Sequence, residues 1–124
     1  MKTLVFCLYL LVGGVALAAA ETPSARVDSL LRVTQKAAHD TLKAEAYVYL
    51  VAEYRYERDV ALAYARSGIV LAKKTGFYRG LYNLHNQMGV VYDVAGEYLP
   101  ALEAYEQAME AARILKRPEL MGSI

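Results

Sequence analysis

The chain has 124 residues, with 14 Lys and Arg against 13 Asp and Glu, a balance that excludes the polybasic surface needed to hold nucleic acid or an anionic membrane. Its single cysteine excludes a disulfide framework, so stability has to come from packing. About a hundred residues follow an apolar start, enough for one domain with one core.

That start is a segment apart. Met1, Lys2 and Thr3 form a short basic lead, Leu4 to Leu17 is almost wholly apolar, and Ala18, Ala19 and Ala20 precede Glu21. Residues 1–20 therefore read as a secretory signal peptide. The apolar run is shorter than the roughly 20 residues that span a bilayer, which weighs against an anchor. Cys7 lies inside the run and not directly after a cleavage site, which weighs against a lipid-anchored cysteine. Cleavage would remove Lys2 as well, leaving thirteen residues of each charge and no cysteine.

Residues 21–25, with Pro23 and Ser24, read as a linker. Val27, Leu30, Leu31, Thr34, Ala37 and Ala38 then recur at amphipathic spacing and predict a helix over 26–38. Asp40 is the expected N-cap of a second helix, about 41–55. A third is expected over 58–75, with Asp59 in its first turn, Lys73 and Lys74 in its last, and Gly76 as its stop. A fourth, 78–95, carries Leu81, Leu84, His85, Met88, Tyr92 and Ala95 on one face and is closed by Gly96. In the fifth, 98–115, Ala101, Leu102, Tyr105, Ala108, Met109 and Ala112 form the expected buried stripe, and Pro100 falls in the first turn, where it costs no hydrogen bond. Pro118 and Glu119 read as the start of a sixth helix.

Residues 42–78 are echoed 40 positions later. Ala61 and Leu62 return as Ala101 and Leu102, Ala72 as Ala112, Val51 as Val91, Glu57 as Glu97, and Gly68 is answered by Ala108. A period in this range marks stacked helical pairs, none of which buries its apolar face alone. The expected organisation is a leading helix (26–40), a first unit (41–77), a second (78–117) and the start of a third (118–124). Such arrays want roughly three units, so the chain reads as a fragment of a longer one, with an open apolar edge around Ala104, Met109 and Leu115 that favours self-association.

The second unit resembles the tetratricopeptide repeat. Its run of large residue, Leu, Gly, Tyr, then Gly, Tyr, then Ala, aromatic, Ala is met by His85, Met88, Gly89, Tyr92, Gly96, Tyr98, Ala101, Tyr105 and Ala108. Gly89, Ala101 and Ala108 allow close approach of helix backbones, and the three tyrosines fill the gaps beside them. The first unit departs from the pattern, with Tyr49, Ala52 and Tyr56 where Gly, Tyr and the turn Gly belong. The leader followed by Tyr54-Arg55-Tyr56, Ala61-Leu62 and Lys73-Lys74-Thr75-Gly76 resembles the exported N-terminal array of bacterial sensor histidine kinases and transcriptional regulators.

The resemblance implies an all-α, right-handed solenoid of antiparallel helix pairs behind a signal peptide, located in the periplasm or on the extracytoplasmic face of the inner membrane. It implies a non-catalytic scaffold that binds a protein or peptide segment, as the input region of a longer signalling protein. A free-standing periplasmic adaptor is the alternative. Any membrane contact would come from sequence downstream. The groove-facing positions carried over are Lys43, Ala46, Leu50, Glu53 and Tyr54 in the first unit and Asn83, Asn86, Val90, Asp93 and Val94 in the second.

The residues themselves leave two readings of Asn83 and Asn86: orienting groups for a peptide backbone, or caps of a neighbouring turn that otherwise face water. Lys43, Glu53 and Asp93 do not make a clamp for a carboxylate terminus. No Cys, His or Asp stands at metal spacing from His85, which favours a core or edge histidine over a ligand. His39 falls in a loop, and neither histidine joins a nucleophile and base, so no catalytic role, cofactor or metal is expected.

Overall fold

The structure, a computed structural model, describes residues 23–116. The leader and the expected start of a third unit lie outside the described residues. Within them the chain is all-helical: α1 (Pro23–Lys36), α2 (Asp40–Glu53), α3 (Arg58–Thr75), α4 (Tyr78–Val94) and α5 (Tyr98–Leu115).

The first helix starts earlier than its apolar spacing suggests. Pro23 to Ala25, read as linker, form its first residues. Proline is favoured there because its ring presets the helical φ and its missing N–H would have had no partner. The expected cap at Asp40 is also displaced. His39 is the N-cap, with extended backbone and no capping side chain, and Asp40 lies inside the first turn of α2. Its carboxylate stands 3.3 Å from the Lys74 ammonium at the end of α3. Each charge sits at the helix terminus whose dipole it complements.

Gly76 and Gly96 stop α3 and α4 with φ of 63° and 77°. Beyond α3, Phe77 N–H donates to Ala72 C=O at 2.9 Å and Gly76 N–H to Lys73 C=O at 3.3 Å. After α4, Glu97 N–H reaches Tyr92 C=O at 2.8 Å and Gly96 N–H reaches Asp93 C=O at 3.0 Å. Both are Schellman closures that need a left-handed residue. Tyr56 stands where the first unit would need that glycine, and a tyrosine resists positive φ. There α2 ends at Glu53 and the chain closes with Glu57 N–H donating to Tyr54 C=O at 2.8 Å.

Each helix packs on its neighbours in sequence, and α2 also packs on α4. The buried side chains are mostly small: Ala44, Ala46, Ala61, Ala65, Ala72, Ala101, Ala104, Ala108 and Ala111. Leu50, Val51, Leu62, Leu84 and Val91 are the largest that are fully buried. Part of this core gathers into two clusters, one of Ala44, Ala72, Leu81, Leu84 and Ala111 and another of Val51, Ala61, Leu62, Ala65 and Val91. Three helices converge at Gly68 of α3, where an added Cβ would lie 2.8 Å from both Tyr47 Cβ of α2 and Leu84 Cδ2 of α4. Gly89 of α4 is similarly covered by the Tyr105 ring of α5, whose Cδ1 would stand 2.6 Å from a Cβ there.

Two expected stripes need correction. In α4 the expected Leu81 and Leu84 are buried, but Val91, outside the expected face, is fully buried too, whereas Ala95 is exposed in the turn beyond the helix. In α5 the buried row is Ala101, Ala104, Ala108 and Ala111, while Leu102 and Met109 are 55% and 70% exposed. Their counterparts on α3, Leu62 and Ile69, belong to the packed clusters. The same side of α5 has no such cover among the described residues. Ala104, expected at the open edge, is buried instead.

Candidate functional site

The carried-over groove positions lie on α2 and α4, and the structure treats the two sets differently. On α2, Leu50 is fully buried and Ala46 nearly so, which removes both from any surface a peptide could touch. Glu53 accepts a 2.8 Å hydrogen bond from Arg26 of α1. Ser24, Val27, Asp28 and Leu31 of α1 enclose a hollow with Glu53 and Tyr54. The leading helix thus lies against the C-terminal end of this flank. Tyr54 packs its ring 5.6 Å from that of Tyr64, whose other aromatic neighbour is Tyr47 at 6.2 Å. Burial beside these rings holds the Tyr64 hydroxyl above the ordinary tyrosine range. Lys43 stays half-buried, and the open side of α2 carries Leu42, Glu45 and Tyr49. The recurrence of Leu42 and Tyr49 at i and i+7, outside the buried row, is the signal that would have found this side.

On α4 the expected residues share a flank. Asn83, Asn86 and Val90 recur at i, i+3 and i+7 and are half-buried, and Asp93 and Val94 are exposed beyond them. The Asn83 and Asn86 side chains make no hydrogen bond among the described residues, and no buried side-chain polar atom there is left unsatisfied. Turn capping is therefore not their role here. Their amides meet solvent, with donors and acceptors both available.

The start of α3 is tied to the turn before α5. Arg58, first residue of α3, donates from Nη2 to Glu97 Oε1 at 2.9 Å and from Nε to Glu97 Oε2, with its guanidinium 5.6 Å from the centre of the Tyr92 ring. The Arg58 hydrogen bonds hold the Glu97 carboxyl below its ordinary value, and the carboxylate in turn raises the arginine. Such exposed pairs are weak individually and screened by salt.

His85 lies half-buried in a cleft between α4 and α5 with Lys73, Tyr78, Leu81, Gln107, Glu110, Ala111 and Ile114 around it. Lost hydration, then the Lys73 charge, holds its pKa below the ordinary value. Among the described residues, no group of three His, Cys, Asp or Glu could hold a metal ion. A histidine whose folded pKa is depressed leaves the unfolded chain binding more protons as pH falls below about 6.5, so stability declines there and is fully kept above it. Thermal melts between about pH 7.5 and about pH 5 should show this decline, and His85→Gln should flatten it. An unchanged slope in the variant would assign the decline to other groups.

Comparison with family models, with curated proteins and with solved structures finds no match. No described helix is long and apolar enough to cross a membrane.

Proposed function

We propose that this chain is a non-catalytic scaffold of the tetratricopeptide type, a right-handed stack of helix pairs that binds a protein or peptide segment along α4 and the neighbouring α2. The observation that carries the reading is the pair of solvent-facing amides, Asn83 and Asn86, on the same flank as Val90 and with no hydrogen-bond partner among the described residues. An amide can donate to and accept from a peptide backbone at once, and Val90 supplies an apolar contact beside it. The packing of α2 on both its own partner α3 and the next unit's α4 agrees with this reading. The apolar leader supports a place outside the cytoplasm, as the input region of a longer signalling protein.

The test is selection of peptides on the immobilised chain, followed by titration of single variants. Asn83→Ala and Asn86→Ala should each weaken binding by roughly 2- to 12-fold, the worth of one net hydrogen bond. Leu102→Ala on the far helix should leave binding unchanged. Selected peptides that bind equally well to both asparagine variants would remove the groove from α4.

A further inference from the structure

We propose that the open face of α5 is a two-fold docking surface for a second copy of this chain. The proposal rests on α5 alone and stands or falls independently of the peptide groove. Leu62 of α3 is 1% exposed, while its echo Leu102 on α5 is 55% exposed, with Met109, two turns further along the same side, at 70%. Leu102 and Met109 thus repeat an apolar design that is packed on α3 and left open, among the described residues, on α5. An open hollow lined by Glu106, Met109, Glu110, Ala112, Arg113 and Lys116 runs along this side.

The charges on the face choose its occupant. Glu103, Glu106 and Glu110 come first along the helix, then Arg113 and Lys116, all exposed. A parallel mate would set glutamate against glutamate. An antiparallel mate, centred on a two-fold axis between Met109 and Glu110, sets Glu106 opposite Arg113 and Glu103 opposite Lys116, and does so twice. Met109 then lies opposite the mate's Glu110 near the axis, the two Glu110 carboxylates are each held by Arg113 of their own helix, and Leu102 lies at the edge of the contact, just outside the 103–116 span. Arg113 already holds Glu110 of its own helix through two nitrogens, at 3.0 and 2.5 Å, and a guanidinium has further N–H groups for the mate's Glu106. A patch complementary to itself about a two-fold axis makes a closed dimer and not a filament.

The contact is short, about 21 Å of helix at 1.5 Å per residue. An interface of that size belongs with weak, reversible associations, so a dissociation constant of about 10–100 µM is expected for the purified full chain. Sedimentation velocity would follow the wild type, Glu106→Arg, Arg113→Glu and an equimolar mixture of the two variants. Each variant alone sets like charges opposite each other twice and should weaken association by at least about 10-fold. In the mixture, the arginine at 106 of one copy meets the glutamate at 113 of the other while the native pair is kept on the opposite side, so the dimer should return. Circular dichroism melts check that both exposed substitutions leave the fold intact. A wild type that stays monomeric to about 1 mM would overturn the proposal, showing that the face is covered by another segment or kept for a foreign helix. A mixture no more associated than either variant would overturn it too, by placing self-association on a different surface.

Discussion

Replacing Leu62 by alanine is expected to destabilise the fold by about 2–5 kcal/mol, whereas Leu102→Ala, at the echoed position, should change it by less than about 0.5 kcal/mol. The leucines are the fifth residues of α3 and α5, and each follows an alanine, Ala61 or Ala101. They differ in what lies above them. Leu62 is sealed in the cluster with Val51, Ala65 and Val91, so truncation there leaves a cavity as well as losing transferred surface. Leu102 keeps most of its surface in water, and truncation removes little that folding had buried. Urea denaturation at a concentration where the chain is monomeric would measure both. Equal losses at the two positions would mean that α5 is covered much as α3 is.

The second large effect is expected at Gly68. Glycine in a helix interior ordinarily costs about 0.5–1 kcal/mol relative to alanine, so propensity alone would predict a gain on replacing it. Contact geometry reverses the sign. A new Cβ would press on Leu84 Cδ2, which a rotamer change can move, and also on Tyr47 Cβ, which moves only with the backbone of α2. Gly68→Leu should therefore lose about 3 kcal/mol, at the upper end of overpacking costs, and Gly68→Ala should lose about 1 kcal/mol despite its better propensity. Adding Leu84→Ala should relieve only part of the Gly68→Leu loss, because Tyr47 stays in place. Full recovery in the double variant would assign the whole conflict to the leucine. No loss in Gly68→Ala would show that the three helices part without cost.

Helix boundaries were largely legible because they depend on local chemistry: left-handed glycines at 76 and 96, Asp59 at one end of α3 and Lys73 and Lys74 at the other. α3 and α5 have the expected bounds. The faces of α2 were not legible. From Ala46 to Ala52 it carries no charged or amide side chain, so periodicity cannot say which side meets a partner. Three helices pack against it, which is why Leu50 is in the core and not in a groove. On α5 the reverse error arose. Repetition of the Leu62 pattern at Leu102 implied burial, but burial belongs to the neighbour and not to the residue. The asparagines at 83 and 86 could be placed on a flank from their spacing, while their lack of a local partner required coordinates.

No polar side chain is buried among the described residues, and the ion pairs Arg26 to Glu53, Asp40 to Lys74, and Arg58 to the Glu97 that precedes α5 are carried by side chains that reach solvent. Nothing directional inside the stack records which turn of one helix faces which turn of the next. That record is kept by indentation: a missing methyl at 68 receives Leu84, and another at 89 receives the Tyr105 ring. Filling the interior with uniform aliphatic residues would preserve its oiliness and erase those detents, and helices free to slip by a turn would yield a compact but plural ensemble.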